Sequence, residues 1–230
     1  MELLILYEDS DVVAVNKPAG LITHSDGRTK EETAEEWFQE RYKVQGAWYV
    51  HRLDRDTSGV LIFAKNSAAY EFLRKAFHDR DIHKTYLAIV YGILKEKKGV
   101  IDFDIGRSRK DFRLRSAQPK EKGRLREALT RYEVAGETKD YSLLKMMPET
   151  GRTHQIRVHL KAIHHPIICD PLYAPNHPKD LGLIRLGLHA YELDIPLPAG
   201  GRTLITAPVP SDLAPALAAF PDAKGKFALA

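Results

Sequence analysis

The sequence has a single cysteine, Cys169, and no long apolar run. One cysteine excludes a disulfide framework and leaves no cysteine pair for a thiolate zinc site. No apolar stretch approaches the roughly 20 residues that a membrane-spanning helix needs. The first residues also lack the basic start and the cleavage site of a signal peptide. We therefore expect a cytoplasmic protein without membrane contact.

Several catalytic signatures are also missing. The chain has no G-x-G-x-x-G or Walker pattern, which leaves a nucleotide cofactor without support. It has no G-x-S-x-G elbow, although residue types alone leave a Ser-His-Asp triad open. Among its ten histidines, His154, His159 and His164 recur every five residues, so on a helix they fan out and cannot share one ion. We predict neither a metal nor a cofactor.

Positive charge is unevenly distributed. The net charge is only +4, with a pI near 9.0. Between Gly106 and Arg126, however, only Asp111 and Glu121 oppose a series of basic residues, which are Arg107, Arg109, Lys110, Arg113, Arg115, Lys120, Lys122, Arg124 and Arg126. Such a local field attracts polyanions. We favour a nucleic-acid contact over a solvated loop.

Periodicity and capping residues predict an α+β fold. Apolar patterns predict strands at 3–7, 12–15, 86–91, 100–105, 127–134, 141–147, 187–195 and 203–206. Helices are expected after the N-caps Thr33, Asn66 and Thr153. Helices and strands alternate irregularly, without repeats or a long linker, so we predict a single domain over residues 1–230.

The segment His51-Arg52-Leu53-Asp54-Arg55-Asp56-Thr57-Ser58-Gly59 carries charges directly before the strand-like run 60–64. It is either a charged turn or a site. Its run Asp54-Arg55-Asp56-Thr57-Ser58 resembles the D-x-D-x-T pattern of haloacid-dehalogenase-type phosphotransferases, with serine in place of the final threonine. In that fold the aspartates follow a strand and a helix comes soon after, whereas here a strand follows. If the arginines of 152–157 meet this segment, a guanidinium would keep Asp54 ionised, as a nucleophile or in a structural ion pair.

The same segment resembles the active-site signature of the RluA family of RNA pseudouridine synthases. Other segments resemble further motifs of that family, in the family's order and over nearly the whole chain. These are Asn16-Lys17-Pro18-Ala19-Gly20-Leu21, Lys84-Thr85-Tyr86, the run from Gly151 to Leu160, Leu188-His189-Ala190 and Ala207-Pro208-Val209-Pro210. The resemblance implies the pseudouridine synthase fold, a largely antiparallel mixed sheet flanked by helices and loops, with a central RNA-binding cleft.

The resemblance also implies a reaction and its residues. Asp54 would be the nucleophile, attacking the ribose or the base, Tyr86 would lie against the base, and Arg157 would pair with Asp54. No metal or cofactor is needed. Arg52 would enter the RNA as the target base leaves its stack. The expected RNA-binding residues are Arg52, Arg55, Lys17, Arg113, Arg115, Arg152 and His154. The expected partner is ribosomal or transfer RNA, bound by a monomer.

Two departures from the family pattern stand out. The first strand starts near residue 3, so we expect no N-terminal S4 domain, and the catalytic domain itself must then bind RNA. Cys169 replaces the glycine that usually precedes the aspartate of the 166–173 segment, which puts the geometry of that loop in question. The alternative from another class is an RNA-binding or chaperone-like protein that keeps the fold without the chemistry.

Overall fold

The computed structural model describes residues 1–25, 27, 31–46, 48–108, 111, 114–117 and 125–230. Its elements, in chain order, are β1 (Leu4–Glu8), β2 (Val12–Lys17), α1 (Ala34–Tyr42), β3 (Ser58–Ala64), α2 (Ser67–His78), β4 (His83–Tyr91), β5 (Lys98–Asp102), β6 (Gly106–Arg107), β7 (Arg115–Ser116), β8 (Leu129–Glu137), β9 (Tyr141–Pro148), α3 (Gln155–Ala162), β10 (Leu188–Pro196), β11 (Arg202–Thr206), α4 (Ala214–Ala218) and a 3-10 helix (Pro221–Ala223).

The chain divides into two compact units, and the single domain expected from the sequence stays a prediction. Unit 1 comprises residues 1–83 and 190–207, and unit 2 comprises residues 84–189 and 208–230. Within the described ranges, no helix has the length and apolar character required to cross a bilayer.

Unit 1 is built on strands in the order β1-β2-β3-β10-β11. The pairs β1–β2, β2–β3 and β10–β11 are antiparallel. All seven residues of β3 are buried, which its continuous apolar run predicts. Its Val60 and Ile62 pack in one core cluster with Leu73 of α2 and with Leu193 and Ile195 of β10.

Close packing in unit 1 requires a glycine at the start of β3. Gly59 has φ +117°, and a Cβ placed on it would lie 2.1 Å from the carbonyl oxygen of Ala190. Any side chain there would collide with main chain in β10 and would also be strained. Only glycine therefore fits at position 59, the second residue of β3.

The predicted caps of the first two helices are confirmed. The Thr33 hydroxyl accepts a hydrogen bond from the backbone N–H of Glu36, whose carboxylate accepts one from the N–H of Thr33. The Asn66 side chain accepts from the N–H of Ala69. Both side chains satisfy donors that the first helical turn leaves unpaired.

Unit 2 contains an antiparallel sheet in the order β4-β9-β8-β5. The predicted apolar face of α3 covers its core: Ile156 and Leu160 are buried in the cluster, and Ile163 packs against it. The short pair β6–β7, also antiparallel, was not predicted. Helix α4 and the 3-10 helix were missed as well, because pairs and single turns of this length carry no readable period.

The predicted start of α3 needs a correction. Its N-cap is His154, in the left-handed region with φ 57°, and no side chain caps the helix there. Thr153 therefore does not act as the predicted N-cap. The reason is tertiary, because the His154 ring bonds to Tyr173, which lies 19 residues away in the chain, and the first turn is secured by Gln155 instead.

Candidate active site

Asp54 lies in the loop that enters β3, and this loop is held through its main chain. The Thr23 hydroxyl accepts from the N–H of Leu53 at 3.2 Å and donates to the carbonyl of Leu53 at 2.8 Å. It therefore satisfies both polar groups of the residue before Asp54, which is buried. The carbonyl of Asp54 accepts from the N–H of Thr57 at 3.1 Å and closes the turn. The haloacid-dehalogenase pattern does not apply, since β3 follows Asp54.

Lys17 secures the other side of the same loop. Its side chain is fully buried, and its ammonium donates to the carbonyls of Pro18, Leu21 and Arg55 at 2.7–3.0 Å. The N–H of Gly20 donates to the same Arg55 carbonyl at 2.9 Å. This placement corrects the prediction of Lys17 as an RNA contact, because an ammonium buried against three carbonyls presents no surface to a phosphate.

The arginines and the histidine around Asp54 have different surroundings. His51 accepts from the N–H of Ile62 through Nε2 at 3.2 Å, so its neutral ring extends the pairing of β3. Arg52 is exposed and makes no hydrogen bond or ion pair within the described residues. Arg55 is also exposed and pairs with Glu31 at 2.7 Å. Both guanidinium groups are accessible to a polyanion, Arg55 in competition with its carboxylate partner.

Tyr86 and Lys84 occupy alternate positions of β4, so they lie on one face of that strand. Tyr86 is half-buried and packs against the core of unit 2. The Lys84 ammonium donates to the carbonyl of Thr150 at 3.3 Å. Burial lowers the pKa of Lys84 to about 8, because the charged form loses hydration. Sequence reasoning did not predict this lowered pKa.

Arg157 forms a buried, bidentate pair with Asp170. Its Nε and Nη2 atoms lie 2.8 Å from the two carboxylate oxygens, and both side chains are almost fully buried. The Asp170 carboxylate also accepts from the N–H groups of Leu172 and Tyr173. It thus binds a turn and a guanidinium together. Sequence reasoning missed Asp170, although its place in a motif of the family was a usable signal.

The polar residues at the start of α3 divide into framework and surface. Gln155 bonds to Thr150, to Thr130 and to the main chain of Leu129 and Arg152, so it fastens the helix to the sheet. His159 is buried, and its ring bonds to the hydroxyl of Thr130 and to the carbonyl of Phe103. Both partners also belong to unit 2.

Arg152 and His154 were both predicted to contact RNA. The Arg152 guanidinium is solvent-accessible and donates to the carbonyl of Glu127. His154 is half-buried and bonds to the Tyr173 hydroxyl. Burial lowers the pKa of the nearby His159, which favours its neutral form. RNA contacts by Arg152 and His154 stay predictions.

Only part of the basic stretch is described. Arg107 and Arg126 are exposed, and Arg115 is half-buried in β7. The prediction for Arg113 falls outside the described residues. Across the described ranges, no group of three His, Cys, Asp or Glu side chains is arranged to hold a metal ion.

Cys169 adopts the conformation that a glycine would favour. Its φ is 57°, in the left-handed region, and its thiol donates to the carbonyl of Leu183 at 3.3 Å. Burial raises the pKa of the thiol above its ordinary value, so the group is neutral at physiological pH. The loop geometry in question is therefore retained, with backbone strain at Cys169.

Comparison with known proteins agrees with these features. A family model described as RNA pseudouridylate synthase matches residues 11–162. The chain is 39% identical over 204 residues to ribosomal large subunit pseudouridine synthase D of Borreliella burgdorferi, covering 84% of this chain and 61% of the relative. It is 37% identical over 191 residues to dual-specificity RNA pseudouridine synthase RluA of Vibrio cholerae, covering 82% and 75%.

A solved structure shows the same fold. Human RNA pseudouridylate synthase domain containing 4 superposes with a TM-score of 0.78 at 26% identity, over 94% of this chain and 92% of that one. The protein is therefore an RNA pseudouridine synthase, an isomerase with the predicted α+β fold. More narrowly, the chain belongs to the RluA family of these enzymes, as its motifs predicted.

Proposed function

We propose that this enzyme converts specific uridines of ribosomal or transfer RNA to pseudouridine, with Asp54 as the nucleophile. The observation that carries the proposal is the loop around Asp54, in which the residues before and after it are fixed through their main-chain groups. A main chain that is held on both sides of Asp54 limits where its carboxylate can lie, which suits covalent catalysis because the reacting atom needs a narrow range of positions. The name of one relative, ribosomal large subunit pseudouridine synthase D, supports ribosomal RNA as a substrate.

The proposed chemistry is a balanced isomerisation. The target nucleotide leaves its stack and enters the site, at a cost of a few kcal/mol. Asp54 attacks the ribose or the base, the bond from N1 to C1′ breaks, and the uracil turns while it is held. A new bond joins C5 to C1′, the proton on C5 is removed, N1 takes up a proton, and Asp54 is released. Atoms and charge balance without a cofactor.

Three further residues have proposed roles in this reaction. Tyr86 lies against the uracil and assists removal of the C5 proton. Arg157, whose guanidinium is oriented by Asp170, stabilises negative charge during the reaction. Arg52, exposed and without a bonded partner in the described residues, stacks into the space that the flipped nucleotide leaves.

Asp54→Asn tests the nucleophile. The variant keeps the shape of the side chain and removes its nucleophilic charge, so we expect release of tritium from uridine labelled at C5 to vanish while RNA binding persists. Asp56→Asn is the control, since it changes a neighbouring carboxylate of the same turn, and should retain activity. Full activity in Asp54→Asn would overturn the proposal. RNA binding by a wild-type protein that forms no pseudouridine in any cellular RNA would instead support a binding protein.

A further inference from the structure

The ring of Tyr173 packs against side chains of helix α3 and of its N-cap residue. Its side chain is buried, with only 3% of the residue exposed. His154, the N-cap residue of α3, and Arg157 and Lys161, which are four residues apart in the helix, all contact it. The guanidinium carbon of Arg157 lies 5.1 Å from the centre of its ring, and the Lys161 ammonium lies 5.7 Å away. The His154 ring packs against its edge. Cations above an aromatic face are attracted by its negative charge density.

The hydroxyl of Tyr173 reaches a second element. It accepts a hydrogen bond from the backbone N–H of Arg115 at 2.9 Å, and it lies 2.9 Å from Nδ1 of His154. Arg115 belongs to β7 of the β6–β7 pair, in the basic stretch. The phenol therefore bonds the main chain of a basic strand with one end and contacts Arg157 with its ring.

Apolar packing supports this connection. Tyr173 belongs to a buried cluster with Val158 of α3 and with Ile105 and Ala117, which flank the β6–β7 pair. The same aspartate that pairs with Arg157 accepts from the N–H of Tyr173 at 3.0 Å. The β6–β7 pair, Tyr173 and Arg157 are thus joined by an unbroken series of direct contacts within unit 2.

We propose that Tyr173 is a positioning residue that couples the RNA-binding β6–β7 pair to Arg157. RNA phosphates held by the arginines of this pair would then be fixed in distance relative to the guanidinium of Arg157. This inference rests on the proposed function. It assigns a role to a side chain that contacts neither the reacting base nor the RNA in the proposed mechanism.

Tyr173→Phe is the first test, because it keeps the ring over Arg157 and removes the hydroxyl bonds. We expect KM for RNA and the Kd of RNA binding to rise about fivefold to tenfold, as for one lost hydrogen bond, with kcat within about twofold of wild type. Tyr141→Phe is the matched control in the same unit, since it loses a hydroxyl that bonds to Asp180. It should leave KM and Kd unchanged.

A double variant separates coupling from general loosening. If Tyr173 acts through the basic strand pair, its effect on Kd should shrink to less than about twofold when Arg115→Gln is already present. Additive effects of the two changes would overturn the proposal. So would unchanged KM and Kd in Tyr173→Phe together with a lower Tm, which is the result expected of a tyrosine that only fills the core.

The binding measurement also keeps this inference distinct from the proposed function. If the wild-type enzyme forms no pseudouridine, the nucleophile assignment fails, yet a Kd that rises in Tyr173→Phe alone still supports the coupling of the strand pair. If Asp54→Asn behaves as expected and Tyr173→Phe matches Tyr141→Phe in KM and Kd, only the role of Tyr173 is lost.

Discussion

The two units hold their candidate catalytic residues by different means. In unit 1, Lys17, Gly20 and Thr23 bind the main chain of the residues on either side of Asp54. In unit 2, Arg157 is held through its own side chain, by the buried charge of Asp170. The bonds in unit 1 fix the main chain around Asp54, whereas the bonds in unit 2 fix the guanidinium group of Arg157.

This difference suits the two proposed roles. A nucleophile changes its charge and bonding during the reaction, so its position should not depend on an ion pair that the reaction disturbs. An arginine that stabilises charge keeps its proton throughout. A permanent carboxylate partner such as Asp170 can therefore orient it in every step. The comparison predicts that the arginine site is sensitive to loss of charge and the loop of Asp54 to loss of hydrogen-bond donors.

The largest expected effect follows from removing the carboxylate in unit 2. Asp170→Ala leaves the Arg157 guanidinium buried without its partner, and we expect the free energy of unfolding to fall by about 3–5 kcal/mol. Urea denaturation measures it. The control is Glu149→Ala, which breaks an exposed pair with Arg131 and should cost less than about 1 kcal/mol.

Replacing both members of the buried pair sharpens the same comparison. Arg157→Met combined with Asp170→Leu removes both charges at similar volume, so we expect much of the stability to return. Pseudouridine formation should stay lost, because the guanidinium is absent. Equal costs for Asp170→Ala and Glu149→Ala would show that burial of the pair has no special importance.

The next effect concerns the loop of Asp54. Lys17→Met leaves buried carbonyls without a donor and should lower the free energy of unfolding by about 2 kcal/mol. The cost is smaller than for Asp170→Ala because no charge is stranded and Gly20 still bonds to Arg55. Lys65→Met, which removes a more exposed lysine of the same unit, serves as the control.

Salt dependence distinguishes the structural role of Lys17 from the RNA contact first predicted. A lysine that touches phosphate releases counterions, so its loss would reduce the slope of log affinity against log salt by about 1. We expect an unchanged slope in Lys17→Met. A reduced slope, measured by filter binding at several salt concentrations, would return Lys17 to the RNA-binding surface.

A smaller effect concerns the pH dependence of unit 2. The pKa of Lys84 is about 8 in the folded protein, because burial lowers it from its ordinary value of 10.5. Between these values the unfolded chain binds more protons, so the contribution of Lys84 to stability rises with pH in this window and is lowest below pH 8. We expect the free energy of unfolding of wild type to rise by about 1 kcal/mol relative to that of Lys84→Met from pH 8 to pH 9.

Unfolding in urea at a series of pH values measures this difference. Taking the difference between the variant and wild type cancels the other groups that titrate in the same range, including the Cys169 thiol. A constant difference across the window would mean that Lys84 is hydrated in the folded protein, and its pKa would then be ordinary.

The smallest expected effect on stability comes from changing Cys169, the residue that precedes Asp170. Cys169→Gly relieves a left-handed backbone at a cost in unfolded-state entropy, and we expect a net gain of about 0.5–1 kcal/mol with unchanged activity. Cys169→Ala is the control, since it removes the thiol and keeps the strain. If Cys169→Gly and Cys169→Ala have the same Tm, the change in stability at position 169 comes from the lost thiol contact and not from relief of backbone strain.

Local patterns predicted much of the fold and part of the site. The caps at Thr33 and Asn66, the apolar face of α3 and most strands follow from signals within a few residues. The start of α3 was missed because His154 bonds to Tyr173, nineteen residues away in the chain. The buried position of Lys17 was missed because one of its acceptors, the Arg55 carbonyl, lies 38 residues away in the chain.

By itself, the sequence determined the family and the candidate nucleophile, since ordered motifs of a family are legible without coordinates. Only the tertiary structure decided how those residues are held. It showed Lys17 within a loop rather than on a surface, Asp170 as the partner of Arg157, and Tyr173 between a helix and a basic strand. The physical reason is that the deciding bonds, from Lys17 to Arg55, from Arg157 to Asp170 and from Arg115 to Tyr173, join residues 38, 13 and 58 positions apart. A hydrogen bond of that kind leaves no periodic trace in the sequence.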